Sequence, residues 1–316
     1  MQAASDQFLI LGTDQADNFP SRDGNGVILA GGGHDDIWTG YGAQFVDGGA
    51  GDDGFWLGPG DHTVEGGTGN DFISGNTGAE LLMGGDGHDV IWAGTGAQTV
   101  LGGDGNDQIG GSNGPQLLSG GDGNDTVTCG SGTQTVFGGA GADIIYTQDW
   151  LSDQSPSRHL VFGDEGNDRI VASRATDTVF GGAGDDTIMG AYTPSGAQAQ
   201  FLDGGDGNDR FYAGQANATL TGGAGRDSYI FYNNIFNDDE VRQITITDFQ
   251  AGQDTIRLQV YEWAPAYGPP SLPTVTAAPG PRGDAVLHLG HGATVTLLGV
   301  PAHQVATHLP AYVKIL

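Results

Sequence analysis

The 316-residue chain has one cysteine, Cys129, and one lysine, Lys314. A lone cysteine allows no internal disulfide, so stability has to come from elsewhere. Lys and Arg number 10 against 39 Asp and Glu, a formal net charge of -29. With no basic face to neutralise phosphate, a nucleic-acid partner is excluded, and an anionic membrane surface repels the chain. No apolar run approaches the roughly 18–20 residues of a spanning helix, so no transmembrane segment is expected. The first residues lack a basic start, and the apolar stretch from Phe8 to Leu11 is too short for a signal-peptide core. The chain therefore either stays inside or leaves by a route that reads no N-terminal signal. Helical bundles are disfavoured by 59 glycines, each costing about 1 kcal/mol in a helix interior.

What the chain does have is a repeat. The string GGxGxDx-apolar starts at Gly48, Gly66, Gly84, Gly102, Gly120, Gly138, Gly181, Gly204 and Gly222, with weaker copies from Gly12, Ala30 and Gly163. Successive starts lie 18 residues apart, except 25 between Gly138 and Gly163 and 23 between Gly181 and Gly204. Each unit holds two nonads. The first carries Asp at its sixth position in every copy: Asp17, Asp35, Asp53, Asp71, Asp89, Asp107, Asp125, Asp143, Asp168, Asp186, Asp209 and Asp227. The second is a degenerate copy with Gln44, Gln98, Gln116, Gln134 or Gln200 there, and elsewhere His62, Glu80, His159, Asp177 or Ala218. Both extra segments fall in second nonads, so the Asp row is never interrupted.

The eighth position of either nonad is apolar, as in Ile37, Phe55 and Ile73, or Val46, Val64 and Leu82. One apolar residue between outward neighbours is a short strand pointing one side chain inward. Gly-rich turns separate the strands. Two strands and two turns per 18 residues make one coil of an all-β parallel solenoid, whose stacked coils bury a ladder of apolar side chains between two sheets.

Stacking sets the carboxylates on one edge about 4.8 Å apart. Unit charges at that distance repel by about 1 kcal/mol in water and several-fold more near a protein surface. Each coil buries only one or two modest side chains against the entropy of ordering Gly-rich chain, so the metal-free fold is expected to be marginal or absent. A hard divalent cation between coils removes the repulsion. Ca²⁺ accepts six to eight oxygens in flexible geometry, whereas Mg²⁺ demands an octahedron and keeps its waters. Thiolate or imidazole clusters for Zn²⁺ are absent from the sequence.

This motif at this spacing resembles the hemolysin-type calcium-binding repeat of RTX proteins, from Gly12 to about Ile230. The resemblance implies a right-handed parallel β-roll holding about 8–11 Ca²⁺ ions, each gripped between two loops one coil apart. The earlier loop gives its Asp and the carbonyls of its second and fourth positions. Carried over, these are Gly31 and Gly33, Gly49 and Gly51, Gly67 and Gly69, Gly85 and Gly87, Gly103 and Gly105, Gly121 and Gly123, Gly139 and Gly141, Gly166, Gly182 and Gly184, and Gly205 and Gly207. The later loop gives its Asp and the carbonyls of its first and third positions. These are Gly48 and Ala50, Gly66 and Thr68, Gly84 and Asp86, Gly102 and Asp104, Gly120 and Asp122, Gly138 and Ala140, Gly163 and Glu165, Gly181 and Ala183, Gly204 and Asp206, and Gly222 and Ala224. Each interior Asp then bridges two ions. Gln15, Ala30 and Asp164 depart from the glycine pattern. Family members often bind Ca²⁺ on both edges; the Gln edge here implies one row, with amide ladders opposite.

Beyond Ile230 the period stops. Ile244–Phe249 (ITDF at its end) with Asp254–Leu258, and Thr294–Val300, resemble the serralysin-like C-terminal region. Read from the residues alone, these are alternating strands that cap a solenoid. Three parts follow: a lead-in over 1–11, the roll over 12–230, and a C-terminal β cap over 231–316. The resemblance implies that the last part carries a signal for the type I secretion machinery, and that the chain folds on meeting Ca²⁺ outside the cell. The Pro-rich stretch from Pro265 to Pro281 reads as a loop.

Catalytic signatures are sparse. HExxH is absent. Gly110–Gly114 matches GxSxG but sits in a repeat turn with no following helix. His34 and His88 read as solvated turn residues, and Cys129 as a plain small one. Trp38, Trp56 and Trp92 share the ninth position, where an exposed aromatic stripe could stack on sugar rings. The expected function is a secreted calcium-binding structural, surface or adhesion component and not an enzyme. The alternatives are a module for extracellular polysaccharide or a cell surface, or an enzyme whose site is unrecognised.

Overall fold

The computed structural model describes residues 7–147, 158–172, 176–191, 199–214, 216–232, 242–259, 276–290, 293–305 and 313–315. The chain forms two compact units, Met1–Phe162 and Gly163–Leu316. Most of the two extra segments, and the Pro-rich stretch up to residue 275, lie outside the described residues.

In the first unit the chain alternates between two parallel sheets. One holds Phe8–Leu11, Gly26–Gly32, Gln44–Ala50, Thr63–Thr68, Leu81–Asp86, Gln98–Asp104, Gln116–Asp122 and Thr133–Ala140; the other holds the shorter Asn18–Phe19, Asp36–Trp38, Gly54–Trp56, Phe72–Ser74, Val90–Trp92, Gln108–Gly110, Thr126–Thr128 and Ile144–Tyr146. Register follows the repeat. Val46 pairs with Val64 and Val64 with Leu82, while Ile73 pairs with Ile91 and Ile91 with Ile109. These eighth-position side chains are buried, each stabilising the fold by roughly 1.5–3 kcal/mol. Phe8 pairs with Gly26 and Ile10 with Ile28, so the lead-in already supplies a strand of the first coil. Its signal is the same 18-residue step, from Ile10 to Ile28 to Val46.

The second unit repeats the plan. Thr178–Ala183, Ala199–Asp206, Asn217–Ala224 and Gln243–Ile246 pair in parallel in one sheet, and Arg169–Val171, Thr187–Met189, Arg210–Ala213, Ser228–Tyr232 and Thr255–Gln259 in the other. Coiling thus outlasts the glycine motif: Leu220 pairs with Ile246 and Tyr229 with Ile256. Ala293–Pro301 then adds in parallel to Gln243–Ile246 and turns the sheet antiparallel by pairing with Asp284–Gly290, which pairs with Thr276–Pro279. An antiparallel hairpin at the end of a parallel stack shields the open edge. The fold is an all-β parallel solenoid. Among the described residues no helix is long and apolar enough to cross a membrane.

Candidate cation-binding edge

The Asp row is set by glycine geometry. Second- and fourth-position glycines have positive φ, for example 97° and 136° at Gly49 and Gly51 and 116° and 147° at Gly85 and Gly87, a region that a Cβ disfavours. A Cβ on Gly85 would lie 2.0 Å from the carbonyl oxygen of Gly67, so glycine at this position lets successive loops stack closely.

Asp35, Asp53, Asp71, Asp89, Asp107, Asp125, Asp143, Asp168, Asp186, Asp209 and Asp227 are all buried. Within each unit, successive coils are tied together by one carboxylate oxygen. The Asp53 N–H donates to Asp71 Oδ1 at 2.7 Å, Asp71 N–H to Asp89 Oδ1 at 2.7 Å, and Asp89 N–H to Asp107 Oδ1 at 2.8 Å. The same bond joins Asp186 to Asp209 in the second unit, at 2.8 Å. The second oxygen, Oδ2, has no hydrogen-bond partner at Asp35, Asp53, Asp71, Asp89, Asp107, Asp125, Asp186 or Asp209. Buried acceptors normally find partners, so a row of orphans has a cause.

The surroundings of Oδ2 are lined with oxygen. A Cβ on Gly102 would lie 2.2 Å from Asp107 Oδ2 and 2.3 Å from the Gly120 carbonyl oxygen; on Gly84 it would lie 2.1 Å from Asp89 Oδ2 and 2.6 Å from the Gly102 carbonyl oxygen. First-position glycine therefore keeps open a cradle between a carboxylate and the next coil's carbonyl. Burial, and then the neighbouring carboxylates, push Asp71, Asp125, Asp186 and Asp209 up to about 7, and Asp53, Asp89 and Asp227 up to about 6, against the opposing pull of the N–H each accepts. Among the described residues no three His, Cys, Asp or Glu side chains converge on a point, so backbone carbonyls have to complete any shell, which suits Ca²⁺.

The row departs from this pattern at its start. In the first loop Thr13 and Gln15 replace glycine, and the Thr13 N–H and Oγ1–H donate to Asp17 Oδ2 at 2.7 and 2.8 Å. Asp17 is half-buried and satisfied within its own loop. At the Gly163 copy, by contrast, Asp164 adopts φ 72° in place of glycine, and its carbonyl keeps the usual position, 2.1 Å from a Cβ built on Gly182. A short Asp side chain tolerates the left-handed region, so the coil geometry survives the substitution.

On the opposite edge the sixth-position residues are also buried, and the expected amide ladder is present. Gln134 Nε2 donates to the Ser112 carbonyl at 2.7 Å and to Gln116 Oε1 at 3.0 Å, and Gln116 Nε2 donates to the Gly94 carbonyl at 2.8 Å. Gln44 Nε2 reaches the carbonyls of Arg22 and Gly24. These are second- and fourth-position carbonyls of the preceding loop, so the amide N–H₂ addresses the atoms that a cation would. Glu80 interrupts the ladder. It accepts from the Asn76 N–H and from Gln98 Nε2 at 2.6 Å, and burial pushes it up to about 7.

Sequence reasoning missed a second ladder. Fifth-position side chains accept the N–H of the next coil's fifth residue: Asn106 N–H donates to His88 Nδ1 at 2.7 Å, and Asn124 N–H to Asn106 Oδ1 at 2.7 Å. His34 does the same for Asp52 N–H at 2.8 Å. These histidines are exposed, yet they are acceptors, not idle turn residues. The signal was an sp² acceptor, His, Asn or Asp, at the fifth position of nine of the twelve copies, Ala16, Ala142 and Arg226 being the exceptions.

The tryptophans form a pair and a single ring, not a stripe. Trp38 and Trp56 stack at 4.7 Å with planes 13° apart, so they cover each other's faces. Ser74 occupies the next rung, and Trp92, 43% exposed, stands beyond it with its ring over Gly110. Ser112 of the GxSxG match lies in a turn where its N–H donates to Gln116 Oε1, with no helix following. Cys129 is buried.

A family profile described as RTX calcium-binding nonapeptide repeat (4 copies) matches residues 21–55, 56–91, 74–109, 110–145, 162–191 and 195–229. No curated protein matches the chain. Among solved structures the chain is similar to a hyperactive, Ca²⁺-dependent, β-helical antifreeze protein from an Antarctic bacterium, at 23% identity over 79% of this chain and 85% of that one, with a TM-score of 0.55. That likeness shows the fold. A match to the extracellular lipase LipA from Serratia marcescens has 20% identity, covers 72% of this chain and 45% of the lipase, and has a TM-score of 0.22; it carries no argument.

Proposed function

Because this chain belongs to the family of RTX calcium-binding nonapeptide repeat proteins, we propose that it is a secreted β-roll whose Asp edge is closed by a single row of Ca²⁺ ions, serving as a structural, surface or adhesion component. The observation that carries this is the repeated orphan: a buried Asp Oδ2 facing a glycine-held, oxygen-lined cradle in coil after coil. The residues that would hold the ions are the sixth-position Asp from Asp35 to Asp227, with the backbone carbonyls of the glycine turns. Bound Ca²⁺ supplies the positive charge that lets neighbouring carboxylates ionise together. The chain's own part is to aim oxygens inward and to keep the cradle free of side-chain carbon. The self-satisfied Asp17 starts the row without needing an ion.

Because a site made by stacking does not exist in the unfolded chain, ion binding and folding are one event. That suits export of an unfolded chain through type I machinery and folding where Ca²⁺ is plentiful. The test is a titration of chelator-stripped protein at pH 8, followed by circular dichroism, with bound ions counted. A cooperative coil-to-β transition saturating near eight to eleven ions is expected. A stable β fold in chelator, with no calcium uptake, would overturn the reading. Contact with an extracellular polysaccharide is a second reading, and among the three ninth-position tryptophans it narrows to Trp92, the exposed one. Retention on a glycan matrix, lost in Trp92→Ala, would support it.

A further inference from the structure

The glycine motif ends with the loop of Gly222, yet the Asp ladder takes one more step. The Asp227 N–H donates to Asp254 Oδ1 at 3.1 Å, as Asp186 does to Asp209 and Asp209 to Asp227. Phe249 and Gln250 stand where that next loop would carry its first two glycines. Side chains take over what the backbone supplies elsewhere.

Asp248 accepts the N–H groups of Gly222 and Gly223, at 2.9 and 2.8 Å, through its two oxygens. It holds this glycine pair where the neighbouring strand, Gln243–Ile246, has already ended. The second substitution is a hydroxyl. At Gly204 a built Cβ would meet Asp209 Oδ2 at 2.1 Å and the next coil's first carbonyl, Gly222 O, at 2.7 Å. At Gly222 the carboxylate is still there, Asp227 Oδ2 at 2.2 Å, but the second oxygen is Tyr229 Oη at 2.5 Å. Tyr229 is fully buried and its hydroxyl has no hydrogen-bond partner. Its ring is fixed by stacking on Phe211, with centroids 5.2 Å apart and planes 10° apart, and it packs against Phe249 at 6.2 Å. Phenylalanine fills the same position at Phe55 and Phe211 with no polar atom to satisfy, so a lone buried hydroxyl here is costly unless something occupies the space it faces.

We propose that Tyr229 Oη, Asp227 and Asp254 form one further cation site that closes the row beyond its last glycine-rich loop, with Asp248 as the positioning residue. The ligand is a hard divalent cation, Ca²⁺. The neutral phenol oxygen stands in for the carbonyl that a following repeat would supply. Asp254 Oδ2 accepts the Gln250 N–H at 2.7 Å and retains a lone pair for an ion. The Gln253 side-chain amide donates to the Gly225 carbonyl, so this backbone oxygen is already engaged and the site rests on the side-chain oxygens.

The inference rests on the calcium reading of the Asp edge, and its test separates the two. Bound Ca²⁺ is counted by equilibrium dialysis for the full chain, for Tyr229→Phe, which keeps the ring stack, and for Asp254→Asn, which keeps the Oδ1 acceptor for Asp227. Each variant is expected to retain the β spectrum and bind one ion fewer than the parent. A parent that binds no calcium refutes the calcium reading and this site with it. A parent that binds a row, with both variants binding the same number at unchanged affinity, overturns the terminal site alone. If Tyr229→Phe fails to fold, the Asp254→Asn count decides.

Discussion

Gly102→Ala isolates the cradle from the backbone. Gly102 lacks the positive φ of its neighbours Gly103 and Gly105, so alanine is allowed there as far as the main chain is concerned. The new Cβ would lie 2.2 Å from Asp107 Oδ2, 2.3 Å from the Gly120 carbonyl oxygen and 3.0 Å from Asp107 Cγ. Carbon–oxygen contacts that close cannot persist, so the carboxylate and the carbonyl both have to retreat. Overpacking of this kind costs about 1–3 kcal/mol, and here the two displaced atoms are the proposed ligands of one gap. Ten- to a hundredfold weaker binding is expected in that gap, at about 1.4 kcal/mol per decade. Gly32→Ala is the control, because a Cβ there meets nothing nearer than 3.6 Å and alanine already fills the same third position at Ala50 and Ala140. Calorimetric titration of the two variants and the parent reads both the number and the affinity of ions. Equal stoichiometry and equal affinity for Gly102→Ala and the parent would refute the cradle.

Three further outcomes follow from the same geometry. In chelator the Asp row should make the protein less stable as pH rises: the folded carboxyls lie above their unfolded value of 3.8, up to about 6 to 7, so their contribution is full below about 4 and is lost as pH climbs through 7. Circular dichroism of metal-free protein should show more β structure at pH 5 than at pH 8, with excess Ca²⁺ abolishing the difference. Glu80→Gln should stabilise the calcium-loaded protein at pH 8, by at most about 3 kcal/mol given a shift from 4.5 to about 7, with little gain at pH 5; urea midpoints at the two pH values check it. His88→Ala should lose about 1 kcal/mol in urea unfolding because it strands the Asn106 N–H, while His88→Asn, which restores the acceptor, should not.

The strand positions, the Asp row and the Gln ladder were all legible in the sequence because each is a fixed step of 18 residues, and a parallel coil converts that step into contact. The parts that were not legible are those where structure keeps the step and sequence abandons the letters. Asp254-Thr-Ile256 carries the same sixth-to-eighth spacing as Asp186-Thr-Ile188, yet 27 residues separate Asp254 from Asp227 and its loop has lost the leading glycines, so it read as cap alone. The lead-in failed in the same way: Phe8–Leu11 has no glycine turn before it, and only the distance from Ile10 to Ile28 marks it as a coil strand. The tryptophans failed differently. Position nine puts all three on one face, but whether rings expose faces or cover each other depends on rung-by-rung neighbours, Trp56 beside Trp38 and Ser74 beside both Trp56 and Trp92.

The two edges solve one electrostatic problem in two ways. Every coil reversal turns second- and fourth-position carbonyls toward the next loop, and inward carbonyls need a positive partner. On the Gln edge the partner is part of the chain, as Gln134 Nε2 shows by bridging the Ser112 carbonyl and Gln116 Oε1. On the Asp edge the sixth-position side chain brings a negative oxygen instead, leaves it buried without a partner, and so makes the positive group something the solution has to supply. Gln ends in N–H₂, and Asp, one methylene shorter, ends in O⁻, so one edge carries donors of its own while on the other the buried Oδ2 atoms, at Asp53 and Asp71 among others, have none. On the calcium reading proposed above, Asp on one edge ties folding at pH 7 and above to the ion.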